Sequence, residues 1–452
     1  VIAMPGMIEK LPHYGKYSYL SFTGSEPTND VKGVWSSPNS PMQWAKEGSD
    51  YLIELASLPI QKTLTTLPPK YLPERLSRHV SELTDERMQG RGIGSLGIEE
   101  AAAYITEQFR LAGLEPINGS YHQKWLQKIE GSEDVELTNV IGIIPGVNKE
   151  LGTQPVIIGA HYDHIGIDES GVLHPGADDN ASGISVLIEV AAKLSRAYSP
   201  QRPIIFVAFS GEESGLFGSE YFIKNPLSGF ESEDYFAMVN VDSIGRLDGK
   251  NLQIFGSESA YEWPFIAQGI GFTIGVQSEF PTETIASGDH VSFLNSGIPA
   301  IHLFSGMHLD FHQPSDTLDK LDLNGMSDVA LWLEEASAYL GDRTDPLRVN
   351  LENAKQIEVQ RQTSERSASL GTVPDFAYSG EGIRISGVTP GGAAEEAGLQ
   401  ALDVLLNYDG ETIEDMQSYS NLLRESEPGD TIAIDVLRDG QTISIEATLK
   451  AR

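Results

Sequence analysis

The sequence predicts an α/β fold, a central mostly parallel sheet flanked by helices, followed by a small β-rich domain. Three observations carry this. Between residues 155 and 305, short apolar runs alternate with amphipathic stretches at helical spacing, the pattern of strands joined by crossover helices. Beyond residue 370 the texture changes to short alternating strands and glycine turns. The length, 452 residues, is comfortable for two domains.

The elements follow in order. Residues 1–71 are rich in Pro, Gly, Ser and Tyr and read as an arm or the remnant of an upstream domain. Within them "GKYSYLSF" suits one strand, and "PPKYLPERL", at the boundary, suits a linker. "LSRHVSELTDERMQG" and "GIEEAAAYITEQFRLAGL" are expected helices, the second stopping at Gly113. "PVIIGAHYD", "RPIIFVAFSGEE", "YFAMVNVDSIG" and "IPAIHLFSG" are apolar runs suited to buried strands. "ASGISVLIEVAAKLSRAY" and "SGLFGSEYFIKN" are the helices among them. The core domain is therefore expected over 72–340. Residues 341–370 are a polar, partly helical linker, and 371–452 are the small domain. There "RDGQ" marks a hairpin between two alternating strands.

Composition excludes several function classes. The 65 acidic against 31 basic residues give a net charge of −34. Phosphate backbones need a basic face, so no nucleic-acid partner is expected. There is no cysteine, which rules out disulfides and thiolate metal sites. No apolar run reaches the length of a membrane span. The chain starts at Val1 with no signal-like segment and reads as a mature or trimmed product.

The chemistry gathers at strand ends. His161 and Asp163 close the first apolar run as "HYDH", and Asp178 and Asp179 precede the next helix in "HPGADDNASG". Glu212 and Glu213 close the next strand, Asp242 another, and His312 follows a fourth in "DFHQPSDT". In such sheets functional groups collect at the carboxyl ends of strands. So many carboxylates on one edge repel, and divalent cations remove that cost. Imidazole and carboxylate donors suit zinc, with cobalt or manganese as alternatives, and the carboxylate count suggests two ions sharing a bridge.

"GAHYDHIG", "PGADDNASG", "FSGEESGLFGS", "VNVDSIG", "SGDHVSF" and "HQPSDTLDKL" occur in this order and together resemble the M28 family of di-zinc aminopeptidases, across roughly residues 72–340. The resemblance implies a zinc-dependent exopeptidase fold and two zinc ions. It places one on His161 and Asp242, the other on Glu213 and His312, with Asp179 bridging. It makes Asp178 a non-ligand neighbour and Glu212 the general base, has Asp163 orient His161 with its carboxylate, and implies a cis peptide bond after Asp179. The expected activity is removal of the first residue from peptides with a free amino terminus, in a periplasmic or extracellular bacterial setting. The alternatives are a single-zinc enzyme resembling glutaminyl cyclases, a binding protein that kept the fold without the chemistry, and a carboxypeptidase, according to which chain end the pocket recognises. "GGAAEEAGLQALDVLLNYDG" lies in a segment resembling a bacterial PDZ domain. That implies a peptide or protein ligand, with Ala377–Ile385 expected to supply the carboxylate loop and edge strand.

Other signals are weighed down. "GIGSLG" (Gly92–Gly97) matches a dinucleotide pattern but follows a helix-like stretch, so it is read as scaffold. Asp289 and His290 lie near the expected site without being ligands. His164, His174, His302 and His308 are assigned to loop or core, with His308 placed to line a substrate pocket.

Overall fold

The computed structural model describes residues 19–22, 29–33, 70–129, 134–281, 288–351, 367–376, 378 and 380–451. The chain forms two compact units, 1–67 and 68–452. In the first, β1 (Tyr19–Phe22) pairs antiparallel with β2 (Asn29–Gly33), and β1 is the strand expected in "GKYSYLSF".

The second unit opens with α1 (Pro73–Leu83), which starts three residues before the helix expected in "LSRHVSELTDERMQG", inside the stretch read as linker, and stops at Leu83. Proline here stands in the first turn, where its missing N–H has no intrahelical partner to lose. The helix is held by the burial of Leu76, Val80 and Leu83. Helix α2 (Leu96–Ala112) starts on Ser95, whose Oγ accepts from the Ile98 amide, and stops at Gly113 in the left-handed region. "GIGSLG" is thus the entry to a helix with no strand before it.

Next come β3 (His122–Gln127), β4 (Val135–Ile144), β5 (Val156–His161), α3 (Gly183–Ala197), β6 (Ile204–Phe209) and α4 (Phe217–Lys224). Then follow β7 (Ala237–Val241), β8 (Leu252–Phe255), α5 (Trp263–Ile274), β9 (Ser278–Glu279), α6 (His290–Leu294), β10 (Ala300–Phe304) and α7 (Leu323–Asp342). The sheet order is β9-β8-β10-β7-β5-β6-β4-β3. The inner four, β10, β7, β5 and β6, are parallel; β8, β4 and β3 join antiparallel. Alternation along β5 serves two cores. Val156, Ile158 and Ala160 face a cluster with Leu76, Ile105 and Trp332, and Ile157 faces one with Phe209 and Phe293. Because the inner strands run one way, His161, Phe209, Val241 and Phe304 all end at one edge.

The small domain contains β11 (Ala368–Ser369), β12 (Thr372–Pro374), β13 (Ile383–Val388), α8 (Ala393–Ala397), β14 (Val404–Tyr408), α9 (Met416–Arg424), β15 (Thr431–Arg438), β16 (Gln441–Thr448) and β17 (Lys450–Ala451). Its sheet runs β12-β13-β14-β15-β16, with β11 paired to β17. The "RDGQ" turn carries Asp439 and Gly440 at positive φ, as a two-residue hairpin requires. The segment expected to supply the edge strand instead leads into β13, which lies inside the sheet. The end strand is β12, because residues 371–375 hydrogen-bond along β13: Thr389 N–H donates to Gly371 O (2.8 Å) and Asp375 N–H to Arg384 O (2.9 Å). Of the linker expected over 341–370, residues 352–366 lie outside the described residues. Phe376, just after β12, packs on the larger domain, its ring 6.1 Å from Phe255 and 6.3 Å from Phe304.

Candidate metal centre and active site

The loop "GADDNASG" is built around Asn180. Its Oδ1 accepts from the Gly183 amide (2.9 Å) at the start of α3, and its Nδ2 donates to Val241 O (2.9 Å) at the end of β7. This ties the loop to two elements at once. A Cβ on Gly183 would strike Asn180 Oδ1 and Val241 O, so glycine is required for the close approach. The Asp179–Asn180 peptide bond is cis, as the resemblance implied. Asp316 holds the preceding turn, accepting from the amides of Asp178 (2.8 Å) and Asp179 (3.2 Å).

The two neighbouring aspartates then diverge. Asp178 accepts from the Gly245 amide (2.5 Å) and faces His308 Nε2 at 3.1 Å, away from the donor cluster. Asp179 is buried, with its two oxygens aimed at different imidazoles. Oδ1 lies 3.3 Å from His161 Nε2, and Oδ2 lies 3.0 Å from His312 Nε2. The first half of the site is completed by Asp242 Oδ1, 3.2 Å from His161 Nε2. The second is completed by Glu213 Oε2, 3.2 Å from His312 Nε2. All five expected donors therefore converge, with Asp179 between the halves.

His164 joins them, although the sequence assigned it to loop or core. Its Nδ1 lies 2.8 Å from Glu213 Oε1 and 3.7 Å from Asp179 Oδ2. The only sequence signal was its place in "HYDH", where the chain has left β5 and can turn back over the strand end. His174 was missed as a support: its Nδ1 lies 3.2 Å from the carbonyl of His312, a residue in the left-handed region at φ 58°. Arg91 was missed too. Fully buried, it donates to the carbonyls of Tyr162, Leu83, Pro175 and Gly176, pinning both loops; burial lowers its pKa to about 10 against the pull of Asp179 and Asp163. His302 lies buried 3.0 Å from Asn240 Nδ2, beside His290, as core.

Asp163 works differently from expectation. His161 Nδ1 is closer to the Asp163 carbonyl (3.1 Å) than to its carboxylate (3.8 Å). The carboxylate instead accepts from the amides of Glu212 (3.1 Å) and Glu213 (3.2 Å), fixing the turn that presents both glutamates.

The electrostatics favour a cation. Burial opposes charge on His312, yet Glu213 and Asp179 push its pKa up to about 10. Burial pushes the Glu212 carboxyl well above its usual range; His161 opposes this, and Glu213, Asp242 and Asp289 add to it. The donor set fits a divalent metal. His161, Asp179 and Asp242 offer atoms within 4.8 Å of one another, as do His164, Asp179 and Glu213. Asp179 Oδ2 is also buried, and its 3.0 Å approach to His312 Nε2 lacks hydrogen-bond geometry.

Residues 139–336 match peptidase family M28, and residues 349–449 match a PDZ domain. The leupeptin-inactivating enzyme 1 of Streptomyces exfoliatus is 33% identical over 243 residues, covering 53% of this chain and 50% of that protein. A probable leucine aminopeptidase of Trichophyton verrucosum (strain HKI 0517) is 32% identical over 221 residues, covering 46% and 56%. The chain thus spans about half the length of these relatives. Among solved structures, the zinc aminopeptidase BSAP from Bacillus subtilis superposes with a TM-score of 0.52 at 18% identity, covering 65% of this chain and 99% of that one, a likeness of fold. The sequence match and the shared fold agree with the motif order and with the donor cluster at the sheet edge. The chain therefore carries a peptidase family M28 domain at residues 139–336, followed by a PDZ domain at residues 349–449.

Proposed function

We propose that the chain is a two-zinc aminopeptidase that releases the first residue of peptides with a free amino terminus. The observation that carries the proposal is Asp179 between two imidazole-carboxylate groups, with Glu212 next to Glu213 in the chain and outside both. His161, Asp242 and Asp179 would hold one ion; Glu213, His312 and Asp179 the other. Ions held there supply Lewis-acid polarisation of a carbonyl and lower the pKa of a water. Glu212 would take the proton of the attacking water and pass it to the leaving amine. Asp163 keeps Glu212 and Glu213 on one turn but in different roles. The excess of carboxylates favours a substrate α-ammonium and disfavours a blocked terminus. The names of the M28 relatives, leucine aminopeptidases among them, support this reading.

The test is a panel of aminoacyl p-nitroanilides and short peptides, with and without chelator, beside N-acetylated copies. Metal-dependent release of single residues from free termini is expected. Efficient internal cleavage of blocked peptides would defeat the reading. Loss of ammonia with cyclisation of an amino-terminal glutamine, at one metal per chain, would point to cyclase chemistry instead.

A further inference from the structure

The PDZ domain meets the M28 domain beside the metal centre. Phe304 ends β10, and the Leu303–Val241 register brings it next to Asp242, whose amide donates to Leu303 O (3.1 Å). Phe376 packs on Phe304 and Phe255, and it stands two residues beyond Pro374, the last residue of β12. The end of β12 therefore abuts the rim of the site.

Strand β12 is also the terminal strand of its sheet, bonded through residues 371, 373 and 375 to β13 on one side. Its Thr372 Oγ1 reaches Tyr419 OH of α9 at 2.8 Å, so the helix lies beside the strand. PDZ domains bind extended chains by adding a strand to a sheet edge, and chain-end carboxylates are captured in backbone turns. The turn that leads into β12 is Ser369–Gly371, with Gly371 at φ 79°. A peptide whose carboxyl end is held at that turn must run antiparallel to β12. Its amino end then leaves past Pro374, toward Phe376 and Phe304.

We infer that β12 and the metal centre are two ends of one track, and that the PDZ ligand is the carboxyl-terminal part of the peptide being hydrolysed. This rests on the aminopeptidase reading. About four residues lie along β12. The rest of the path is two chain residues, one ring contact and one strand spacing, roughly 18 Å or about six extended residues. Peptides of about ten residues fit the track. Holding one end raises the effective concentration of the other without touching the bond broken, so the gain falls on KM rather than kcat.

The experiment compares kcat and KM for the full chain on aminoacyl p-nitroanilides and on peptides of about five and about ten residues, each as free acid and carboxyl-terminal amide. A rise in kcat/KM of about tenfold with length, through KM and only for the free acids, is expected. Phe376→Ala should lose that gain and Phe376→Leu keep most of it, with p-nitroanilide turnover unchanged in both. Length-independent kcat/KM, or equal rates on acid and amide, overturns the track. Unchanged length dependence in Phe376→Ala overturns the role given to Phe376. A chain that releases nothing from any substrate, p-nitroanilides included, overturns the proposed function instead.

Discussion

Glu212 and Glu213 are adjacent in sequence yet meet different neighbours, and that difference divides their work. Glu213 lies against His312 and His164, while Glu212 feels His161, Asp242 and Asp289. Glu212→Gln should therefore keep the bound metal and lower turnover by roughly two to four orders of magnitude, the scale of a general base; metal analysis and kinetics on one sample decide it. Asp179 faces both halves, so Asp179→Ala should release both ions, read as metal per chain after dialysis. His164→Gln removes the imidazole 2.8 Å from Glu213 Oε1 and should weaken one ion by about 10–100-fold, the effect of losing a group that orients a ligand. Chelator competition would show it as one weak and one tight site; two unchanged sites would leave His164 a packing residue. The convergence of the five proposed donors was legible because they lie at strand ends or in the loops beyond them, which sequence periodicity locates. His164, His174 and Arg91 were not, because their roles depend on how loops distant in sequence close over the site. The same holds for the Asp163 carboxylate, whose partners, the Glu212 and Glu213 amides, are 49 and 50 residues away.

At the scale of elements, α1 and α3 are joined by a buried carboxylate. Glu189 on α3 meets His79 Nε2 at 2.9 Å and Arg75 Nε at 2.8 Å, both from α1. Burial alone would raise its pKa, but the His79 and Arg75 hydrogen bonds prevail and hold it below the ordinary 4.5. A carboxylate with a depressed folded pKa adds stability that is complete above its unfolded pKa and is lost as pH falls through the folded one. Glu189→Gln should thus cost about 2 kcal/mol at neutral pH. The gap between variant and parent should close as pH drops below 4.5, measured as paired melting temperatures at each pH. A constant gap would mean the loss is one of packing rather than charge. The sequence showed α3 through its apolar stripe and most of α1 in "LSRHVSELTDERMQG", but hid this clamp, because the pairing of Arg75 and His79 with Glu189, 114 and 110 residues away, depends on how the two helices pack. The inner strands were legible from their continuous apolar runs. Strands β3 and β4 were not identified: β3 is partly exposed in "HQKWLQ" and β4 opens on the polar "VELTN", so neither shows a clean run. The PDZ edge was misplaced for a related reason. "GIRISGV" has the stronger strand pattern, while the true end strand is the three-residue "TVP".

At the scale of the whole molecule, the two domains have separate cores. Leu370, Ile385, Leu405, Leu423 and Ile434 form the PDZ core, and none of its members belongs to the clusters on either face of the large sheet. The contact through Phe376 adds an aromatic interaction of about 1 kcal/mol. Joining two domains into one cooperative unit takes a coupling comparable to their stabilities, of order 5–15 kcal/mol each, so the aromatic contact is too weak by a wide margin. Heating should therefore give two transitions. The proposed donors His161, Asp179, Glu213, Asp242 and His312 all lie within residues 139–336, so bound metal should stabilise that domain alone. At free metal a thousandfold above its dissociation constant, linkage adds about 4 kcal/mol per ion and about 8 kcal/mol for two, roughly 20 °C for a domain of this size. Calorimetry before and after chelation should move one transition down by about that much and leave the other in place. Phe376→Ala should leave both transitions within a few degrees, which separates its role in placing the PDZ edge from any role in stability. A single transition that moves as a whole with metal would show that the interface, not the separate cores, governs unfolding. The PDZ domain would then have to be treated as a structural part of the metal centre.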